Sequence, residues 1–186
     1  MINYLKRFKT QRGVTLVELL ITILIISIIV SISFLGYREF EHRLTLQRVV
    51  YKIVADIEKT REMAMSAQEF EGTGSIPEGG YGVYFDISTP DEFILFADLD
   101  LGVGPNKVYS GILEQVEKIY LDSTVEISAL SPSGPINVVF LSPSPNVFLV
   151  GGSSVNQVEI TVALKSDLSK TRKIYINSAG LISMGD

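Results

Sequence analysis

Glu18 stands in the fifth position of residues 14–35, a run that holds 16 hydrophobic residues in 22 positions. Placing a carboxylate in hydrocarbon costs at least ~2–3 kcal/mol, so an acid there either snorkels to the headgroups or is kept for a purpose. A second set of oxygens lies in Asp98-Leu99-Asp100-Leu101-Gly102-Val103-Gly104-Pro105-Asn106, where two carboxylates and an amide share a glycine-rich loop. These are calcium's ligand types. Leu99, Leu101 and Val103 take the alternate positions, however, and no acid follows before Glu114, so an EF-hand-like ligand set is missing. The expectation is an acidic turn, with Asp98, Asp100 and Asn106 as weak calcium candidates.

Lys165, Lys170, Arg172 and Lys173 form the one basic cluster of residues 72–186, where six basic residues meet thirteen acidic ones for a net of −7. Phosphate-backbone binding depends on positive potential, so a DNA partner is disfavoured and a solvated hairpin turn is expected. The chain has no Cys and a single histidine, His42. That excludes disulfides, thiolate metal sites, a cysteine nucleophile and multi-His zinc sites, and it leaves histidine-based catalysis little to work with. His42, among Glu39, Glu41 and Arg43, reads as a solvated helix position. Neither a Gly-x-Ser-x-Gly elbow nor a phosphate loop is present, so neither an enzyme nor a cofactor is expected.

The elements that must position these residues follow from the pattern. Residues 1–13 carry Lys6, Arg7, Lys9 and Arg12 without an acid, and the apolar run then starts at Val14. Twenty-two helical residues rise about 33 Å, matching a hydrocarbon core of roughly 30 Å. The basic flank sets the N-terminus in the cytoplasm and the bulk of the chain outside. The run is longer than a secretory signal core, and no small-x-small site follows it.

All seven prolines lie at or beyond Pro77, and between Val14 and Glu71 the only glycine is Gly36, so a single helix over 14–71 is expected. Its second half is amphipathic. Leu46, Val50, Ile53, Ile57, Thr60, Ala64 and Ala67 form a stripe at steps of three and four, read as the spine of a globular head. After the glycine-rich loop at 71–80 come strand-like runs at 81–87, 92–97, 116–121, 124–130, 136–141, 146–150, 155–164 and 172–177. Tyr81, Tyr84, Phe85, Phe93, Phe96, Phe140 and Phe148 sit at strand positions and read as core. The fold class is α+β, a long helix packed against an antiparallel sheet. The expected divisions are a leader at 1–13, a transmembrane or filament-core helix at 14–35, its amphipathic continuation at 36–71 and a β-rich head at 72–186.

Gln11-Arg12-Gly13-Val14-Thr15-Leu16-Val17-Glu18-Leu19-Leu20 closely resembles the processing site of type IV pilins and pseudopilins. The resemblance covers the leader and the whole apolar run. It implies cleavage by prepilin peptidase between Gly13 and Val14, methylation of the new Val14 amine, and assembly in which Glu18 neutralises the N-terminus of an adjacent subunit. Val14 departs from the family's usual Phe or Met. The implied partners are prepilin peptidase, other pilin or pseudopilin subunits, the inner-membrane assembly platform and the membrane itself. The implied location is the cytoplasmic membrane, single-pass, and then an extracytoplasmic filament. Loss of residues 1–13 would remove four basic residues and take the net charge from −5 to −9.

The head is similar, on short patterns, to minor pseudopilins: Ile57-Glu58-Lys59-Thr60-Arg61-Glu62-Met63-Ala64-Met65, Gly80-Tyr81-Gly82-Val83-Tyr84-Phe85 and Ile174-Tyr175-Ile176-Asn177-Ser178-Ala179-Gly180. A major pilin stays open. From another class, the alternative is a single-span surface-anchored binding protein that never polymerises.

Overall fold

The computed structural model describes residues 13–99, 106–141, 147–151 and 155–185, for 33–39 the backbone alone. The chain divides into two compact units, Met1–Glu41 and His42–Asp186, and helix α1 is assigned from Leu16 to Met65.

In the first unit the helix carries apolar side chains all round. No helix among the described residues is long and apolar enough to cross a membrane. The span expected over 14–35 is therefore not shown: described helical side chains run from Leu16 to Ile32, about 25 Å of rise where a bilayer core needs roughly 30 Å.

In the second unit α1 turns one face to the core. Leu46, Val50, Ile53, Ile57, Thr60 and Ala64 are all buried, joined by Val49 and Met63, which widen the stripe to the breadth of a core-facing helix. Thr60 is tolerated there because its hydroxyl donates to the Asp56 carbonyl at 2.8 Å. The helix stops at Met65, six residues short of the expected Glu71, because the chain closes a Schellman turn. The Gln68 amide donates to the Met63 carbonyl (3.1 Å) and the Ala67 amide to that of Ala64 (3.0 Å), with Ala67 in the left-handed region at φ 50°.

Among the described residues nine strands follow in two antiparallel sheets. β1 (Tyr81–Phe85), β2 (Glu92–Ala97), β3 (Gln115–Tyr120), β5 (Ile136–Phe140) and β6 (Val147–Val150) form a five-stranded sheet of order β3-β2-β1-β5-β6. β4 (Val125–Ser131), β7 (Gln157–Leu164), β8 (Asp167–Asn177) and β9 (Ile182–Gly185) form a second sheet of order β4-β7-β8-β9. The expected α+β class, a long helix with antiparallel strands, is what the described residues show, with the strands divided between two sheets. Inner-face residues of both, among them Phe85, Phe93, Val138, Ile127, Ile160 and Ile174, join Ile53 and Ile57 of the helix in one apolar cluster.

Two strand positions were unanticipated. β9 is four residues long and contains a glycine, and β8 begins at Asp167 in a polar stretch that reads as a turn. Pairing with β7, through Ala163↔Thr171 and Leu164↔Asp167, holds those polar residues in the ladder despite their propensity. Gly80 closes the entry to β1 at φ +88°, where a Cβ would run into the Phe140 carbonyl oxygen.

β5 is buried on both faces, because the five-stranded sheet has a second covered side. Phe96 and Val139 are fully buried yet lie outside the main cluster. The Tyr109 ring packs over that side, 5.7 Å from the ring of Phe96 and 5.2 Å from that of Tyr84.

Candidate functional site

Gly13, Val14 and Thr15 precede the helix and are exposed. Thr15 is the N-cap of α1: its side-chain Oγ1 accepts from the Glu18 amide at 3.2 Å, and its carbonyl accepts from the Leu19 amide at 3.1 Å. Thr15-Leu16-Val17-Glu18 thus has the Ser/Thr-x-x-Glu spacing of a capping box. That cap is the functional feature the sequence reading missed, although its spacing was visible. Glu18 is exposed and falls in the first helical turn, where a carboxylate is favoured by the partial positive charge of the unpaired amides. Helix geometry therefore gives this acid a role within its own subunit, alongside the intersubunit role that the resemblance implies.

Beyond Glu18 the helix exposes a sleeve of hydrocarbon. Every large apolar side chain from Val14 to Ile32 is at least half exposed, from 50% at Ile25 to 74% at Leu16. The hydroxyls within it are satisfied internally, Thr22 donating to the Leu19 carbonyl (2.8 Å), Ser27 to that of Ile23 (2.8 Å) and Ser31 to that of Ser27 (2.7 Å). They make no demand on an outside hydrogen-bond partner, which suits an apolar surrounding. Lys6, Arg7, Lys9 and Arg12 lie outside the described residues.

The acidic loop of the head is built differently from a metal cradle. Asp98 is fully buried; its Oδ2 accepts from the Lys107 amide at 2.7 Å and its Oδ1 from that of Asn106 at 3.3 Å. Glu114, 2% exposed, accepts from the Ser110 amide at 2.7 Å, and buried Asn137 accepts from that of Tyr109 at 2.9 Å. Three buried polar side chains thus tie down residues 106–114 and seat the Tyr109 ring on the sheet.

Burial pushes the Asp98 carboxyl above its ordinary value, against the Lys107 and Asn106 amides that pull it down. Burial likewise raises Glu114, against the Ser110 and Leu99 amides, with the charge of Asp98 adding to the rise. The Tyr84 hydroxyl, partly buried and donating to Asp86 at 2.9 Å, is pushed up to about 12. Asn106 is engaged too, its Oδ1 by the Val108 amide and its Nδ2 on Ser110, while Asp100 lies outside the described residues. Among the described residues no group of three or more His, Asp or Glu converges as a metal site would.

The remaining candidates are dispersed. Lys165 pairs with Asp91 (2.8 Å), Lys170 with Asp167 (3.7 Å) and Lys173 with Glu159 (2.8 Å), so three members of the basic cluster face carboxylates. His42 is half-buried at the start of the second unit. Of the aromatics expected in the core, Tyr81, Phe85, Phe93, Phe96 and Phe140 are buried, while Tyr84 and Phe148 are only partly so. Phe148 carries the Lys107 ammonium 3.8 Å above its ring.

Residues 8–34 match the family model of the prokaryotic N-terminal methylation motif. The chain carries that methylation motif. The matched segment contains Gly13, Val14, Thr15, Glu18 and the whole exposed sleeve from Val14 to Ile32. Nothing among curated proteins matches the chain. Of solved structures, the type IV minor pilin FimU of Pseudomonas aeruginosa (strain PAO1) is similar at 13% identity, with 79% of this chain and 92% of that chain covered and a TM-score of 0.47. So remote a likeness adds nothing to the functional reading, which rests on the motif and on the geometry around it.

Proposed function

We propose that the chain is a structural subunit of a type IV pilus or type II secretion pseudopilus. It is made as a precursor, cut by prepilin peptidase after Gly13, methylated on the new Val14 amine and assembled through its N-terminal helix. The observation that carries this reading is the methylation motif at 8–34, which from Leu16 onward lies on a helix whose apolar side chains to Ile32 are uncovered. A sleeve of that size does not stay in water. Lipid covers it first, since the full run at 14–35 rises about 33 Å, and the helices of neighbouring subunits cover it afterwards. The leader cations hold the N-terminus in the cytoplasm, so His42–Asp186 faces outward and ends on an extracytoplasmic filament.

Glu18 supplies the register. A freed amine at Val14 is cationic near neutral pH, with a reference pKa of about 7.7–8.0, and it needs a counter-charge once helices bury it. The carboxylate of an adjacent subunit provides one. The protein acts by packing and uses neither catalysis nor a cofactor; its partners are the peptidase, the assembly platform and other subunits. We place it among the minor subunits on the short head patterns around 57–65, 80–85 and 174–180. Mass spectrometry of protein recovered from membranes tests the reading. A mature chain beginning at methylated Val14 is expected, whereas an intact Met1 on a chain that never enters filaments would establish a surface-anchored binding protein instead.

A further inference from the structure

The hydrogen bond from the Glu18 amide to Thr15 Oγ1 fixes where α1 begins while the leader is still attached. Gly13, Val14 and Thr15 are non-helical, and Val14 is 67% exposed, so the Gly13–Val14 peptide bond lies just upstream of the cap. That position matters for proteolysis. In a helix the backbone groups are engaged by i, i+4 bonds, whereas an exposed irregular segment offers its carbonyl to attack.

We propose that Thr15 is a positioning residue for leader cleavage: its hydroxyl caps α1 and so keeps the Gly13–Val14 bond out of the first helical turn. This rests on the reading above that the precursor is cut at that bond. Among the described residues, Thr15 supplies the side-chain cap at that point. No proline occurs before Pro77, and the space around Gly13 is open, with no atom within 4 Å of where a Cβ would stand. Without an acceptor at position 15, the nearest residue suited to the cap is Gly13 itself, since Val is among the poorest caps. A cap at Gly13 makes Val14 the first helical residue and draws the scissile bond to the helix edge. A cap of ordinary strength shifts such an equilibrium about fivefold.

The test uses the full-length precursor in membranes that hold a prepilin peptidase. Conversion is followed on gels and the new N-terminus is read by mass spectrometry. Thr15→Val keeps the shape of the side chain and removes its acceptor; Thr15→Asn changes the shape and keeps an acceptor. The expected result is conversion about fivefold slower for Thr15→Val and close to parental for Thr15→Asn. Parental conversion of Thr15→Val overturns the proposal. So does the opposite pattern, with Thr15→Asn slowed and Thr15→Val normal, because the peptidase would then be reading the side chain and not the cap. A parent chain left uncut between Gly13 and Val14 removes the underlying reading and this proposal together.

Discussion

Replacing Glu18 separates what the carboxylate does in a lone subunit from what it does in a fibre. In the subunit it is exposed in the first turn of α1, and the hydrogen bond that caps the turn uses the backbone amide of residue 18, which a substitution leaves in place. Loss of the charge there removes only a first-turn interaction with the helix dipole, about 0.3–1 kcal/mol. In the assembly proposed above the same carboxylate is buried against the Val14 amine of a neighbour, and removing one partner of such a buried pair costs roughly 3–5 kcal/mol. Glu18→Val is therefore expected to be made, inserted and cut as the parent is. Its entry into filaments should fall by a factor on the order of 10² to 10³, since each 1.4 kcal/mol is tenfold.

The assay co-expresses tagged variant and parental subunits, shears the filaments and compares the tag in the sheared and membrane fractions, with the N-terminus of each read by mass spectrometry. Incorporation at the parental ratio would refute the pairing argument. A variant that fails at insertion or cleavage would refute the claim that the subunit itself has little use for the charge.

Three further outcomes concern the head. Ala67→Gly should raise the melting temperature of the His42–Asp186 unit by roughly 2–4 °C, because an L-residue at φ 50° costs ~1–2 kcal/mol and glycine gives part of that back as unfolded-state entropy; a lower melting temperature would contradict the Schellman assignment. Ile57→Ala removes a fully buried spine residue and should cost about 2–5 kcal/mol in urea unfolding, while Tyr51→Ala on the exposed face should cost little. For Asp98 the folded carboxyl is raised above its ordinary value, so its contribution to stability is present below pH ~4 and is lost as pH rises through the raised value. The urea midpoint of the parent should thus fall more between pH ~4 and neutrality than that of Asp98→Asn, and parallel pH profiles would count against burial as the dominant influence.

Secondary structure was legible wherever one local signal ruled. The spine from Leu46 to Ala64 follows a three-and-four spacing that nothing interrupts, and β7 alternates Val158, Ile160, Val162 and Leu164 into the core. The division into two sheets was not legible, because strand order depends on pairings such as Val83↔Val138 that join segments more than fifty residues apart. The helix end was missed for a local reason: a Schellman turn advertises itself by glycine, and here Ala67 takes the left-handed position instead.

The acidic loop shows a use for side-chain oxygens that residue type alone does not reveal. Asp98 and Asn106 have the oxygens that calcium takes, and from the sequence alone those oxygens look available. In the fold they are spent on backbone amides, because a loop that covers a sheet must satisfy its own N–H groups once water is excluded. Glu114 and Asn137 do the same work from outside the motif, at positions no local pattern would connect to Asp98. The N-terminal motif escapes this ambiguity. Thr15 and Glu18 meet through helix geometry within one turn, a range in which spacing alone dictates which side chain meets which amide. The cap at Thr15 was thus visible in the spacing although it was missed, whereas the role of each head carboxylate had to wait for the amides that long-range packing brings to it.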